Sequence, residues 1–343
     1  MKRCVFLFVI CLLFLLCACG KDPAPVPSEP LPTDTPEPVQ SEAPAPEVID
    51  TAVTIDGKRL PACYGDRDDI LLLRADLDLL FGETFAEGEG EYVPLTDITA
   101  NGAYHEYFDG ERDHLYYTRT PDLSTVPEGI GVPVLMYHAV SDDCWGASSL
   151  FVSPSEMDKQ LAYLRDNGYT TITFEDLPDI AEIEKPVLLT FDDGYRDNYT
   201  ELFPLLQKYN AKATVFVIAN CVGGDLFMTE EQVRELSDSG LVSIQSHTMT
   251  HPDLDTLGRE DTVYEMESSQ LYLTRLTGRQ PFVICYPTGK NTELTREVAA
   301  EYYDLGILMT GGRYTTGSDL FRIPRHFVSR STDIASFASL LLY

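Results

Sequence analysis

Basic residues are scarce in this 343-residue chain. Lys and Arg number 25 against 55 Asp and Glu, a formal net charge of −30. That shortage excludes nucleic-acid binding, which needs a basic footprint to displace counterions from phosphate. It also excludes electrostatic adsorption to anionic lipid. Tryptophan is nearly missing, with Trp145 alone. No C-x-x-C occurs, so the cysteines lack the spacing of a zinc cluster. No apolar run is long enough for a spanning helix, the clearest one (5–16) being about a dozen residues. What is present suffices for a core, with 44% of residues hydrophobic and 10% aromatic. The acidity is spread along the chain and reads as a solvated exterior.

Lys2 and Arg3 precede the 5–16 apolar run, the layout of a signal peptide. The run ends Leu16-Cys17-Ala18-Cys19-Gly20, which resembles the lipobox of bacterial lipoproteins. The resemblance implies removal of a signal peptide, 1–18, and a diacylglyceryl thioether on Cys19. Two acyl chains anchor stably where one does not. The mature chain is then expected at the cell membrane through its lipid anchor only, facing the extracellular side or cell wall. An ordinary secretory signal with incidental cysteines is the alternative. Cys4, Cys11 and Cys17 leave with the signal. Cys63, Cys144, Cys221 and Cys285 remain, enough for two disulfides of undetermined pairing. Residues 19–47 carry Cys19 and a linker rich in Pro, Glu, Ala, Ser and Thr. That composition packs no core, and in extended form it spans up to roughly 80 Å.

Residues 48–120 read as a small β-rich domain. Short alternating runs at 52–55, 92–95 and 114–117 are broken by glycine turns, with one helix around 74–81. The segments Ile55-Asp56-Gly57-Lys58 and Tyr92-Val93-Pro94-Leu95 loosely resemble small repeats of cell-wall stalk modules. His105 and His114 are not spaced as ligands and read as loop or surface histidines. From 131 to 343 the pattern changes. Apolar, β-branched runs fall at 132–138, 170–174, 187–191, 213–218, 242–246, 282–286, 305–309 and 322–328. Helical patterns lie between many of them, at 155–167, 198–208, 230–239, 260–277 and 293–302. Such alternation predicts a parallel α/β fold, either a barrel or a doubly wound sheet. In a barrel the functional residues sit at the carboxyl ends of strands.

Two motifs fall at such ends. Thr190-Phe191-Asp192-Asp193-Gly194 closes the 187–191 run. Adjacent carboxylates at a strand end are costly to bury without a counter-charge, and a bound cation resolves that cost. A simple Asp/Gly turn is the alternative. Ser246-His247-Thr248-Met249-Thr250-His251 follows the 242–246 run, and Pro252 disfavours a helix at His251. Two histidines and one carboxylate leave an open position for water, the arrangement of catalytic zinc. The second carboxylate is then free to act as base.

With these motifs the region from 131 onward resembles the polysaccharide deacetylases, the NodB-homology carbohydrate esterases. Their T-F-D-D-G motif stands at 190–194 and their H-[ST]-x-x-H motif at 247–251. The resemblance implies a distorted (β/α) barrel of seven to eight strands. It implies Asp192 as general base, and Asp193, His247 and His251 as ligands of one divalent ion. Zinc is the first choice, with cobalt, nickel or manganese as alternatives. The third motif appears as Cys285-Tyr286-Pro287-Thr288-Gly289, where Thr288 replaces the usual tyrosine and Cys285 stands where one subgroup has arginine. The Thr288 backbone N–H takes the oxyanion role, and Tyr286 is expected to touch substrate. Pro133-Val134-Leu135-Met136-Tyr137-His138 resembles the opening of deacetylases acting on poly-N-acetylglucosamine, which makes His138 the general acid. His326 is a second candidate for that role. Arg325 resembles a family arginine that pairs with the catalytic aspartate. Trp145 either stacks on a sugar or anchors its own loop. The implied function is metal-dependent removal of N-acetyl groups from an extracellular polysaccharide, poly-N-acetylglucosamine-like or peptidoglycan, by a monomer. An O-acetyl esterase and a non-catalytic glycan-binding surface lipoprotein are the alternatives.

Overall fold

Runs that are apolar on both faces cannot border water, so each must become a strand covered on two sides. In the computed structural model, which describes residues 45–82, 90–100 and 104–342, those runs form β1 (Val134–Tyr137), β2 (Thr170–Ile172), β3 (Pro186–Phe191) and β4 (Ala213–Val217). They continue as β5 (Val242–Ser246), β6 (Val283–Cys285), β7 (Leu305–Ile307) and β8 (His326–Phe327). All pair in parallel, in the order β7-β6-β5-β4-β3-β1-β8, with β2 beside β3. The sheet curls into the distorted (β/α) barrel. β2 pairs with the first half of β3, whereas β4 pairs with its last two residues. The segment before β8 bridges back to β7 at Ile307 and Ile323.

Helices cover the outside. Ser153 caps Pro154–Asp166 by accepting from the Glu156 N–H, with proline in the first turn. Thr229 and Gln232 form a reciprocal capping box for Glu230–Asp238. The longest helix, Arg259–Thr277, ends at Gly278 in the left-handed conformation.

The small domain has two four-stranded sheets around a core that includes Val53, Ile55, Leu72, Leu77 and Leu115. Its helix is Arg74–Phe81. It packs on the barrel within one compact unit spanning Pro46–Tyr343. Gly57 N–H donates to Gly278 O at 2.9 Å, and Arg275 Nη2 donates to the fully buried Asp109 at 3.0 Å. A Cβ at Gly278 would stand 2.7 Å from Gly57 Cα, so only glycine fits this approach.

His114 corrects the surface expectation for the small-domain histidines. It is buried, stacks on Tyr116 at 4.1 Å and shares a 2.8 Å hydrogen bond with Thr54. Burial, which disfavours the charged ring, pushes its pKa down to about 4. His105 is exposed and pairs with Thr120. Cys63, Cys144, Cys221 and Cys285 are all free thiols. The signal peptide, Cys19 and the linker up to residue 44 lie outside the described residues.

Candidate active site

The carboxyl ends of β3, β5 and β6 converge on one point. After Phe191 the chain turns sharply, with Asp193 at φ 76° and Gly194 at φ 80°. After β5, Thr248 (φ 66°) and His251 (φ 61°) fold the second motif into a loop, as Pro252 predicts. Beyond β6, Thr288 stands at φ 56°. Among the described residues, four of the eight non-glycine residues with positive φ therefore lie in this one site. Strain concentrated in this way needs surroundings that over-determine the backbone. Glu265, from the long helix, supplies part of that support. Its carboxylate accepts from Thr250 N–H at 2.8 Å and from the Thr250 hydroxyl at 2.6 Å. The Thr248 hydroxyl accepts from His251 N–H at 3.0 Å.

Asp193, His247 and His251 come together. Asp193 Oδ1 lies 3.5 Å from His247 Nε2 and 3.8 Å from His251 Nε2. One donor atom from each residue lies within 4.8 Å of the others. The other nitrogen of His247, Nδ1, pairs with Cys285 O at 2.8 Å, which fixes the tautomer and leaves Nε2 as a free base. Burial pushes the His247 pKa down, against the pull of Asp192 and Asp193. A neutral imidazole is the form that ligates a cation. The donor set thus fits one divalent ion, with His251 on the open side, its side chain 31% exposed.

Asp192 has a different environment. It is buried and held by Arg325 in a two-pronged pair, Nη1 to Oδ1 and Nη2 to Oδ2, both 2.7 Å. Arg325 has no exposed surface and spends its remaining donors on Leu308 O, the Thr190 hydroxyl and Cys285 Sγ. Burial alone would raise the Asp192 carboxyl. The Arg325 charge and its hydrogen bonds overcome that and hold it well below the usual carboxylate range. The Cys285 thiol is pushed far up by burial, so it sits beside the pair as a neutral group. An arginine at Cys285 is thus not needed to balance Asp192, because Arg325 reaches the same carboxylate from β8's leading edge.

His138 follows β1, the strand beside β3. Its Nε2 is 3.9 Å from Asp192 Oδ2. His326 belongs to β8 and is next to Arg325 in sequence. Successive strand residues point to opposite faces, and Arg325 takes the inner one. His138 is therefore the histidine brought to the site.

Two residues on the substrate side part company. Trp145 is 38% exposed and leans edge-on against Phe151 and Tyr195, the residue after Gly194. Tyr286 is a correction. It is fully buried among Ile284, Val298 and Tyr303, and its hydroxyl donates to Phe321 O at 3.3 Å. Cys285 uses the inward face, so the next side chain points into the outer packing. Thr288 is exposed, and its hydroxyl donates to Asp253 at 2.9 Å.

Asp197 was not singled out by the sequence. Its Oδ1 accepts from Val140 N–H at 2.6 Å, and Asn198 Nδ2 donates to His138 O at 3.0 Å, so both hold the backbone around His138. The D-N pair one turn past the motif is the only signal that could have found them. Burial pushes the Asp197 pKa up to about 6. An acid raised from about 3.9 contributes stability that is whole below about pH 4 and is lost as pH rises through the folded value. Asp197→Asn keeps an acceptor for Val140. It is expected to raise stability at pH 7 by about 1–2 kcal/mol and to flatten the decline between about pH 4 and 6. Urea unfolding across that range checks this, and an unchanged slope in the variant would contradict it.

Residues 179–303 match the family profile described as polysaccharide deacetylase. The Bacillus subtilis (strain 168) protein YxkH, named as a polysaccharide deacetylase, is 34% identical over 216 residues, covering 61% of this chain and 76% of that protein. The poly-beta-1,6-N-acetyl-D-glucosamine N-deacetylase of Escherichia coli (strain K12) is 25% identical over 62% of this chain, which spans 38% of that enzyme's length. Among solved structures, the Streptococcus pyogenes deacetylase PplD in complex with acetate superposes with a TM-score of 0.59 at 29% identity, covering 63% of this chain and 100% of that one. Kinship at this level with YxkH, together with the shared barrel, places the chain in the polysaccharide deacetylase family.

Proposed function

We propose that this deacetylase removes N-acetyl groups from an extracellular amino-sugar polymer and depends on one divalent ion held by Asp193, His247 and His251. The substrate in the name of the Escherichia coli relative supports a poly-N-acetylglucosamine-like polymer. Peptidoglycan carries the same acetamido group. Two imidazoles and one carboxylate with an open side suit zinc, and cobalt, nickel or manganese accept the same donors. Bound there, such an ion would lower the pKa of a water and polarise the acetyl carbonyl.

The chain's own groups supply the rest. Asp192, kept ionised by Arg325, takes the proton of the attacking water. The Thr288 N–H stabilises the oxyanion. His138 protonates the departing amine, and the products are acetate and a free amine on the glycan. Lipidation of Cys19 would hold the enzyme at the outer face of the cell membrane, with 19–47 as its tether.

The observation that carries this reading is the position of His138, with Nε2 at 3.9 Å from Asp192 Oδ2. An amide anion is a very poor leaving group and needs such an acid, whereas an activated ester does not. His138→Gln is therefore expected to lower acetate release from N-acetylglucosamine oligomers by roughly 10²–10⁴-fold. Hydrolysis of an aryl acetate at the same site should fall by less than about tenfold. Equal losses on both substrates would remove His138 from the acid role.

A further inference from the structure

A row of aromatic side chains runs outward from the ligand turn. Tyr195 directly follows the Asp193-Gly194 turn, so its ring starts beside the proposed ligand carboxylate. The Tyr195 ring stacks on Phe227, with centroids 5.3 Å apart and planes 22° apart. The same two residues form an antiparallel bridge. Arg196 N–H donates to Leu226 O at 2.8 Å and Met228 N–H to Gly194 O at 3.2 Å, so the loop carrying Phe227 is strapped to the ligand turn. On the other side, Trp145 meets Tyr195 at 5.6 Å and Phe151 at 4.6 Å.

The indole is thus fixed from two directions and still exposes 38% of its surface, and Leu226 at the other end exposes 42%. A tryptophan serving only to anchor a loop would gain by covering that surface. Apolar surface left open beside convergent polar groups is the usual character of a ligand subsite. The motif that should bring a tyrosine to the sugar offers none here, since Tyr286 is buried and position 288 is threonine.

We propose that Trp145, backed by Tyr195 and Phe227, is a stacking subsite for the sugar adjoining the one whose acetyl group is removed. The inference rests on the glycan-deacetylase reading and adds where the polymer lies. A pyranose ring has a C–H face that packs on an aromatic ring, while its hydroxyls stay in water. Tyr195, two residues past Asp193, ties the row to the reacting centre, so a monomer fills that centre alone and a longer oligomer reaches the indole as well. Affinity should then rise with chain length.

Trp145 is the only tryptophan in the chain, so emission of the full-length protein excited at the red edge, beyond tyrosine absorption, reports this residue alone. The probes are β-1,6-linked N-acetylglucosamine oligomers from monomer to pentamer, read by tryptophan emission and by acetate release. Emission is expected to shift with the dimer and longer chains and not with the monomer. KM should fall from monomer to trimer by about 2–10-fold, the value of one aromatic contact. Trp145→Ala should erase that fall, and Trp145→Phe should restore most of it, which separates stacking from a collapsed loop. Emission unmoved by every oligomer, or a KM series in Trp145→Ala that still falls as in the parent, would overturn the subsite. An emission shift without acetate release would leave the subsite standing and count against the deacetylase reading. Release with unmoved emission would do the reverse.

Discussion

Asp192→Asn is expected to lower kcat for acetate release by about 10³–10⁴-fold while the protein keeps its metal. The two halves of that result come from different atoms. Asp192 is buried with both oxygens on Arg325, and the proposed ligand set is its neighbour Asp193 with His247 and His251. An amide in place of the carboxylate cannot accept the proton of the attacking water, but it leaves the three ligands untouched. His247→Ala removes a ligand, so it should lose metal and activity together. Metal analysis alongside single-turnover acetate release distinguishes the two variants. Activity above about a tenth of the parent's in folded Asp192→Asn would take the base role away from Asp192.

Arg325→Leu should be the most destabilising change in the barrel, by about 3–5 kcal/mol at pH 7. Arg325 and Asp192 are both buried, and removing one leaves an uncompensated charge where burial already opposes ionisation. The sign of the pH dependence follows. In the parent, the folded pKa of Asp192 lies below the unfolded value. The stability this contributes is present above the unfolded value and is lost only as pH falls toward the folded one. Without Arg325, burial dominates and the carboxyl moves up. The deficit of the variant should shrink as pH drops and Asp192 takes a proton, and the acid limb of the activity profile should shift to higher pH. Urea unfolding at pH 7 and pH 5 measures the first effect. The double variant Arg325→Leu/Asp192→Asn should recover at least about 1 kcal/mol of the loss, because the orphaned charge is gone. A loss at pH 7 under about 1 kcal/mol, or no recovery in the double variant, would mean the pair does not act as described.

The meeting of Asp193, His247 and His251 was legible because strand ends are. The β-branched runs before Asp192 and before His247 have to be buried strands, and adjacent parallel strands deliver their last residues to one edge. Pro252 likewise announced a loop at His251 rather than a helix. His138 and Arg325 could be named only by resemblance, since Asp192 and Arg325 are 133 residues apart and meet because β1 sits between β3 and β8. Tyr286 was misjudged for a reason strand geometry explains. With Cys285 turned toward Arg325, the next side chain must face the opposite layer. Glu265 was invisible, because a buried glutamate within a long helix reads as one more acidic residue until the Thr250 loop is seen resting on it. The docking of the small domain was hidden as well, since it turns on the close approach of Gly57 and Gly278.

The central claim is that Asp193, His247 and His251 hold one catalytic divalent ion for deacetylation of an amino-sugar polymer. It is tested most directly by stripping the full-length protein with a chelator and adding zinc back in fractions of an equivalent, with acetate release from poly-N-acetylglucosamine oligomers as the readout. Release should vanish on stripping and return linearly, reaching its plateau at one ion per chain. Undiminished release from protein shown to be metal-free, or one tightly bound ion per chain with no acetate released, would contradict it.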